Sequence, residues 1–265
     1  PPTGTKLYSF GLVSDIHLYP IAAVECTPEV KFDNALTYFE SKGCAFCVKC
    51  GDFTQTGLYI DYGDTTIDLR QFQKYKEICD AHTIPVHGLC GNHESIHGKP
   101  ISNNLAELRQ YTGRELNYTI TQGDDLFIFL GQPNYNKVMT DDALAWLQTT
   151  LADNTNKRCF VFIHSYIEED SGDAVDYREN SVFDDWGTTK TEAFMNVMRQ
   201  HPNVILFHGH SHMKFECQEY DDNANYTERN GFRSVNVPSL SKPRYLKLAN
   251  GTPNGETPED NAASQ

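Results

Sequence analysis

Short apolar segments that each end in polar, metal-capable residues recur five times along this chain and alternate with amphipathic segments. The apolar segments have the length and composition of β-strands, whereas the intervening segments carry apolar residues at helical spacing. Residues 31–42, for example, place Phe32, Leu36 and Phe39 on one face of a predicted helix. This alternation predicts a layered α/β domain.

The predicted elements divide the chain into one large domain and a polar tail. Helices are expected over 31–42, 68–82, 103–111, 141–151 and 191–200, and strands over 7–16, 44–50, 86–90, 118–120, 126–130, 159–163, 204–207, 215–220 and 232–237. The last two strands are expected to form an antiparallel pair. Residues 168–185 are rich in acids and turn formers and predict a long surface loop. We expect the domain to cover residues 1–248, with residues 249–265 as a loop, linker or disordered tail.

Charge and composition exclude several classes of protein. The chain has 22 basic and 36 acidic residues, a net charge of −14, which disfavours a nucleic-acid binder because phosphate backbones need clustered Lys and Arg. No apolar run approaches the ~20 residues that span a bilayer. The first residues, Pro1-Pro2-Thr3, carry neither Met nor a signal-like stretch. A cytoplasmic protein and an exported one whose targeting segment precedes this chain therefore both stay open.

The eight cysteines do not predict a disulfide framework. Cys47, Cys90 and Cys159 fall inside predicted strands, where a free thiol behaves as a small hydrophobic residue. Cys44, Cys47 and Cys50 are three residues apart, and a strand directs such positions to opposite faces, which argues against a thiolate metal site. A disulfide that involves Cys26, Cys79 or Cys217 stays open, whereas the other cysteines are expected to be free.

The polar residues that follow the strands are the candidate functional residues. The carboxyl ends of parallel strands meet at one edge of a sheet, where open α/β proteins bind their ligands. Residues two apart share a strand face and suit chelation of one ion, and this spacing separates Asp15 from His17 and His210 from His212. In chain order the groups are Asp15 with His17, then Asp52, then Asn92 with His93, then His164, and finally His210 with His212.

The mixture of carboxylate, imidazole and amide oxygen indicates borderline divalent or trivalent transition ions such as Mn, Fe or Zn. Seven ligands exceed one tetrahedral site and fit two ions that share a carboxylate. Such a pair neutralises phosphate oxygens, activates a bridging water and orients in-line attack on a phosphate ester. His93, which lies beside Asn92 and is not needed as a ligand, is the candidate proton donor to the leaving oxygen. Glu94 is expected to support this turn.

This ordered set of motifs resembles the calcineurin-like metallophosphoesterase superfamily, and it spans most of the chain, from Asp15 to His212. The resemblance implies a four-layer α/β/β/α sandwich with two mixed sheets and a metal site at the carboxyl ends of the strands. It also implies a metal-bridging hydroxide as the nucleophile, with His93 either assisting the leaving group or binding the substrate phosphate. By the same resemblance, Asp15, His17 and His212 hold one ion, Asn92, His164 and His210 hold the second, and Asp52 bridges both.

The sequence departs from the motifs of two subfamilies, which narrows the range of expected substrates. Protein Ser/Thr phosphatases of the superfamily follow the second-motif Asp with Asp-Arg-Gly, but Asp52 is followed by Phe53-Thr54-Gln55. Purple acid phosphatases place a Tyr where Gln55 stands. We therefore expect a hydrolase of small phosphodiesters or phosphomonoesters. Two alternatives are a nuclease with the same metals, which would need a basic groove, and a catalytically silent binding protein, which would be expected to lack ligands.

Overall fold

The structure, a computed structural model, describes residues 6–19, 28–55, 69–94, 105–133, 139–165, 182–212, 226–228 and 231–241. The helices are α1 (Pro28–Ser41), α2 (Arg70–Ala81), α3 (Leu105–Thr112), α4 (Asp141–Ala152) and α5 (Val182–Arg199). The strands are β1 (Gly11–Val13), β2 (Cys47–Cys50), β3 (Val86–Leu89), β4 (Asn117–Gln122), β5 (Asp125–Leu130), β6 (Arg158–Phe162), β7 (Val204–His208), β8 (Tyr226–Thr227) and β9 (Arg233–Asn236).

These strands form two sheets. The first has the order β1-β2-β3, and its three described strands are parallel. The second has the order β4-β5-β6-β7-β9-β8 and is mixed, because β4 and β8 run antiparallel to their neighbours. The strands β5, β6, β7 and β9 are mutually parallel, so their carboxyl ends share one edge. Residues after β5, β6 and β7 are therefore neighbours in space.

An aromatic core fills the space between the two sheets. Strands β5 and β6 alternate so that their phenylalanines face the first sheet, while their aliphatic residues face the opposite side. Ring centroids of Phe127 and Phe160 are 4.7 Å apart, and those of Phe129 and Phe162 are 5.1 Å apart. These paired rings pack against the buried β2 side chain of Val48 and its neighbours. Face-to-face burial of this kind fixes one sheet on the other.

Two further cores attach helices to the outer faces of the sheets. One contains Phe32 and Leu36 of α1 and Phe72 of α2, packed against the first sheet. The other contains Leu147 of α4 and Phe194 of α5, packed against the second sheet. The layers are therefore helix, sheet, sheet and helix, which confirms the predicted four-layer α/β/β/α sandwich.

Helix α4 begins where the sequence predicts it. Thr140 precedes the helix in an extended conformation, and its side chain accepts a hydrogen bond from the Ala143 backbone N–H at 3.1 Å. Asp141 and Asp142 follow in the first turn, where their negative charges interact favourably with the positive end of the helix dipole. The start of α4 lies beside the carboxyl ends of β5 and β6, because Thr140 and Ala143 line a cavity together with Leu130 and Ile163.

The elements differ from the prediction mainly after β6. Helix α5 begins at Val182, so residues 182–185 are helical and the predicted loop over 168–185 is too long. Acidic residues are as compatible with a first helical turn as with a loop, which is why composition misled the prediction. Strand β9 pairs in parallel with β7 and antiparallel with β8. The strand predicted over 215–220, the remainder of the predicted loop and the tail over 249–265 lie outside the described residues.

The cysteine prediction is confirmed where the structure describes it. Cys44, Cys47, Cys50, Cys79, Cys90 and Cys159 are all free, and Cys47, Cys90 and Cys159 are buried. Burial raises the pKa of the Cys47 and Cys90 thiols well above their usual range, as expected for thiols that fill a core. Cys26 and Cys217 lie outside the described residues.

Candidate metal centre

All eight predicted site residues lie together at the joined carboxyl edges of the two sheets. Beyond the strand ends, loop backbones continue to pair: the His17 N–H donates to the Asp52 carbonyl oxygen at 2.9 Å. In the second sheet, the Gly209 N–H donates to the His164 carbonyl oxygen at 3.0 Å. Two further bonds, from the His93 N–H to Asp52 Oδ1 at 2.9 Å and from the His210 N–H to Asp15 Oδ2 at 3.0 Å, complete the connections among the five segments.

The backbone is left-handed at five of these residues. Positive φ angles occur at Asp15 (51°), His17 (51°), Asp52 (49°), His210 (65°) and His212 (56°), and at no other non-glycine residue among those described. A residue with a side chain rarely adopts this conformation, and it persists only where the surrounding structure enforces it. Backbone strain is therefore concentrated at the candidate ligands.

A first group of donor atoms surrounds His164. Its Nε2 atom lies 3.0 Å from Asp52 Oδ2, 3.1 Å from Asn92 Oδ1 and 3.2 Å from His210 Nδ1. The opposite ring nitrogen of His164 donates to the Cys50 carbonyl oxygen at 2.7 Å, which fixes the ring with Nε2 turned into the group. One ion could contact all four side chains.

A second group of donor atoms surrounds Asp15. Its Oδ1 atom lies 3.0 Å from His212 Nε2 and 4.0 Å from His17 Nε2, and the two imidazole nitrogens are 3.3 Å apart. His164 Nε2 is 3.9 Å from the same oxygen, so Asp15 belongs to both groups. Asp52 Oδ2 also lies within 4.0 Å of His17. The two groups therefore adjoin, with both carboxylates between them.

The donor atoms fit transition-metal ions. Asp15 Oδ1 and Asp52 Oδ2 are fully buried, and each lies 3.0 Å from an imidazole nitrogen, that of His212 and that of His164 respectively. Ligands of one such ion lie roughly 3.0–3.5 Å from each other, because each is about 2.0–2.2 Å from the metal. The shortest separations in both groups match that spacing. The nitrogen and oxygen donors suit Mn, Fe or Zn.

The electrostatics of the cluster favour bound cations. Burial alone would raise the pKa of the Asp15 and Asp52 carboxyl groups, but the neighbouring imidazoles outweigh it and lower both. Burial alone would lower the pKa of His164, yet the two carboxylates raise it to about 9. The carboxylates are therefore ionised in a buried site, a state that positive charge must offset.

Glu94 supports the cluster as expected from the sequence. Its buried carboxylate accepts hydrogen bonds from the backbone N–H groups of Asp52 (3.0 Å), Thr54 (2.9 Å) and Gly91 (2.6 Å), and from the Thr54 hydroxyl (3.1 Å). Burial and the charge of Asp52 raise the pKa of Glu94, whereas Lys49 and the Thr54 and Gly91 N–H groups oppose that rise. Glu94 thus ties the loop after β2 to the loop after β3.

Two glycines are required by close approach to the ligands. A Cβ atom on Gly91 would lie 2.2 Å from Asp52 Oδ1, and one on Gly209 would lie 1.9 Å from Ser14 Oγ and 2.9 Å from Asp15 Oδ2. Neither distance is sterically possible. The Gly-Asn-His motif therefore begins with glycine because Asp52 fills the space that a side chain would need, and the Gly-His-Ser-His motif does so because Ser14 and Asp15 fill it.

His93 is the candidate catalytic residue and stands at the margin of the cluster. Its side chain is 19% exposed, whereas those of Asp52 and His164 are at most 1% exposed. Its Nδ1 atom donates to the Gln55 carbonyl oxygen at 2.5 Å, and its Nε2 atom lies 4.0 Å from Asp52 Oδ2. Its ring meets that of His17 edge-on at 4.6 Å. Together with His17 and Asp52, it also forms a third possible set of donors.

Sequence reasoning missed four polar residues at this edge. The hydroxyl groups of Ser239 and Ser241, beyond β9, donate to the Asp15 carbonyl oxygen at 3.1 and 3.0 Å. Gln132 follows β5, and Ser165 follows His164; both side chains are buried. Gln132 carried a usable signal, since it stands directly after an apolar strand as the predicted ligands do. The serines carried none, because isolated serines are common in loops.

Imidazoles and carboxylates grouped in this way are the side chains with which metal-dependent hydrolases bind their ions. None of the described helices is both long and apolar enough to cross a bilayer. The family model described as calcineurin-like phosphoesterase matches residues 8–214. The chain therefore belongs to the calcineurin-like phosphoesterase family and is a phosphoester hydrolase. Family membership implies a divalent metal centre.

Two solved structures support the fold. A dimetal phosphatase from Danio rerio is 16% identical, with a TM-score of 0.61 and 88% of each chain covered. The protein TT1561 of Thermus thermophilus is 8% identical, with a TM-score of 0.54, covering 92% of this chain and 96% of that one. None of the curated proteins compared with the chain matches it in sequence. At these identities the structural similarity extends to the fold alone.

Proposed function

We propose that the chain hydrolyses small phosphodiesters or phosphomonoesters at a centre of two transition-metal ions. The observation that carries this proposal is the pair of adjoining donor groups, with Asp15 and Asp52 between them. Asp15, His17 and His212 would hold one ion, and Asn92, His164 and His210 the other, with Asp52 shared. When bound, such ions neutralise phosphate oxygens and lower the pKa of water.

The chain's own residues would complete the reaction. His93 is partly exposed, and the Gln55 carbonyl oxygen fixes the orientation of its ring, so its Nε2 atom would be positioned to donate a proton to the leaving oxygen. Glu94 keeps Asp52 and Asn92 at the correct separation by binding both of their loops. The net charge of −14 weighs against the nuclease alternative.

Metal analysis and turnover together test the proposal. We expect purified protein to contain up to two Mn, Fe or Zn ions per chain and to hydrolyse bis(4-nitrophenyl) or 4-nitrophenyl phosphate. Chelation should abolish turnover, and readdition of the metal should restore it. The preferred ester distinguishes a phosphodiesterase from a phosphatase. Full activity in a metal-free sample would refute the two-metal proposal.

The role of His93 is tested separately. We expect His93→Ala to lower kcat by about 10²–10⁴-fold while the metal content is unchanged. His201→Ala is the matched control, since His201 precedes β7 and lies at the opposite end of that strand from His210. Loss of metal in His93→Ala would instead make His93 a ligand, as its proximity to His17 and Asp52 permits.

A further inference from the structure

A cavity adjoins the candidate metal centre. It has a volume of about 210 Å³ and lies between the carboxyl ends of β5 and β6 and the start of α4. Its walls are mainly apolar and include Leu130, Met139, Ala143 and Ile163. His164 lines the cavity and also belongs to the first donor group, so the two sites share a residue. A molecule that occupies this cavity is therefore next to the metal centre.

Two polar side chains in this cavity have buried, unpartnered atoms. Gln132 is 5% exposed and Ser165 is 1% exposed, and both line the cavity. The amide oxygen and nitrogen of Gln132 and the hydroxyl of Ser165 make no hydrogen bond to any described residue. Burying such groups without partners opposes folding, and native proteins rarely tolerate it outside functional sites. Because both side chains border the cavity, a rotation of either into the cavity would let an occupant supply the missing hydrogen bonds.

Backbone hydrogen bonds fix the position of Gln132 at the edge of the cavity. Its backbone N–H donates to the Cys90 carbonyl oxygen at 2.9 Å, which links the end of β5 to the end of β3 in the other sheet. Gly131 precedes it, and its N–H donates to the Leu116 carbonyl oxygen at 3.1 Å. Gln132 is thus anchored at the same sheet edge as His164.

The lining specifies the chemistry of the occupant. Apart from His164, none of the described lining residues is ionisable, so these residues offer no counter-charge to a charged group. The amide and hydroxyl together supply both donors and acceptors. A volume of about 210 Å³ exceeds the roughly 150 Å³ that accommodates benzene. The cavity is therefore large enough for one ring with a small substituent.

We infer that this cavity binds the organic part of the phosphoester substrate, an uncharged ring with an amide-like edge that pairs with Gln132 and Ser165. The inference rests on the proposed function, since it places this group beside the ester that the metal centre hydrolyses. It narrows the substrate class to phosphoesters of small, neutral, ring-bearing alcohols or phenols. Long anionic chains such as nucleic-acid strands do not fit this cavity.

Binding of small probes to the metal-loaded protein tests the inference without requiring turnover. Benzamide has the required ring and edge, toluene has the ring without the edge, and benzamidine is a cationic analogue of the same shape. We expect calorimetry to show benzamide binding, with toluene and benzamidine each about tenfold weaker or more. Equal binding of all three probes, or none of benzamide, would overturn the inference.

Substitutions locate the binding to the cavity. Ala143→Leu should fill it and lower benzamide affinity about tenfold or more, whereas the exposed Ala145→Leu on the same helix should have no effect. Gln132→Leu should lower the affinity about tenfold, yet raise or preserve the melting temperature because it removes an unpaired amide. Unchanged affinity in both cavity variants would overturn the assignment. A lower melting temperature in Gln132→Leu, with affinity unchanged, would make Gln132 structural.

Kinetics link the cavity to the substrate. Benzamide should inhibit hydrolysis of the nitrophenyl ester competitively, and Ser165→Ala should weaken this inhibition. Binding without competition would overturn the assignment of the cavity to the substrate. Hydrolysis without benzamide binding would refute this inference and leave the proposed function standing. Benzamide binding in a metal-loaded protein that hydrolyses no ester would support the cavity and refute the proposed function.

Discussion

Glu94 offers a sharp test of how the ligand loops are held. It touches none of the donor atoms directly, yet its carboxylate joins the loop after β2 to the loop after β3 through four hydrogen bonds. Oε1 accepts from the Thr54 N–H and hydroxyl, and Oε2 accepts from the N–H groups of Asp52 and Gly91. If these bonds position the ligands, replacing Glu94 must weaken metal binding from a distance.

The expected size of the effect follows from counting these donors. In Glu94→Gln, the amide can turn its nitrogen toward Thr54, where the hydroxyl accepts from it and only the Thr54 N–H loses its partner. One unsatisfied buried donor costs about 1–3 kcal/mol of unfolding free energy. In Glu94→Ala, the N–H groups of Asp52, Thr54 and Gly91 all lose their acceptor, so the cost should reach about 3 kcal/mol or more. Loss of such outer partners lowers metal affinity about 10–100-fold.

Urea unfolding and competitive metal titration measure the two effects. Glu77→Gln is the matched control, because Glu77 is exposed on α2 and pairs only with Lys74 among the contacts described here. We expect the control to stay within about 0.5 kcal/mol of the parent protein. The reasoning is refuted if Glu94→Gln retains both the parent stability and the parent metal dissociation constant.

Three further results are expected. Gly91→Ala should cost about 1–3 kcal/mol of unfolding free energy and weaken metal binding, because its Cβ would meet Asp52. The control, Gly113→Ala, has open space around it but a positive φ angle, so it should cost about 1–2 kcal/mol and leave the metal affinity unchanged. Chelation should lower the melting temperature. If the metal had been present at 100 times its dissociation constant, its removal should cost about 2.7 kcal/mol of unfolding free energy. His82→Gln should lower the urea midpoint more at pH 6 than at pH 9. Burial opposes protonation of His82, but hydrogen bonds to Glu40 and Asp33 raise its pKa. The contribution of His82 to the unfolding free energy is therefore complete below about pH 6.5 and is lost as the pH rises through the raised pKa. The partner Glu40, whose pKa His82 and Thr83 lower to about 2, contributes above about pH 4.5 and ceases to contribute as pH falls toward 2.

The gathering of the site residues was predictable because it depends on topology. Parallel strands end at a shared edge, so Asp52 after β2 and Asn92 after β3 were expected at the same edge, and the pairing of these two strands makes them neighbours. The same reasoning places His164 beside His210 in the second sheet. The face-to-face packing of the two sheets then joins the sets. None of these steps requires knowledge of loop conformation, which is why the sequence sufficed.

The support around the ligands was less predictable because it depends on loops. Ser239 and Ser241 reach the Asp15 carbonyl oxygen only because the chain beyond β9 runs alongside Ser14, and no sequence pattern announces that contact. Gln132 was overlooked for another reason. Glutamine is not a usual ligand for the ions considered, and its position at the end of β5 gains meaning only when the cavity beside it is seen.

The spacing of two residues in each His-containing pair also acquired a different meaning. Strand alternation predicted that His210 and His212 would share an ion, but β7 ends at His208, and the structure places the two imidazoles in different donor groups. Asp15 and His17, by contrast, fall in the same group, although β1 ends at Val13. Spacing in sequence therefore does not determine which residues belong to the same donor group, because these pairs lie beyond the strands in left-handed backbone.

The left-handed backbone explains why Asp and His occupy these positions. Glycine would relieve the strain at any of the five, but it has no donor atom to contribute. Asp and His are enriched among the non-glycine residues found in this region, so they combine a tolerable backbone cost with a ligand. Each strained residue still costs about 1–3 kcal/mol, and the strain is held by contacts that the folded chain maintains, such as the hydrogen bond from the His210 N–H to Asp15 Oδ2 at 3.0 Å. The conformation that gathers the donors thus opposes folding locally, and cation binding to the gathered carboxylates would act in the opposite direction by stabilising the folded chain.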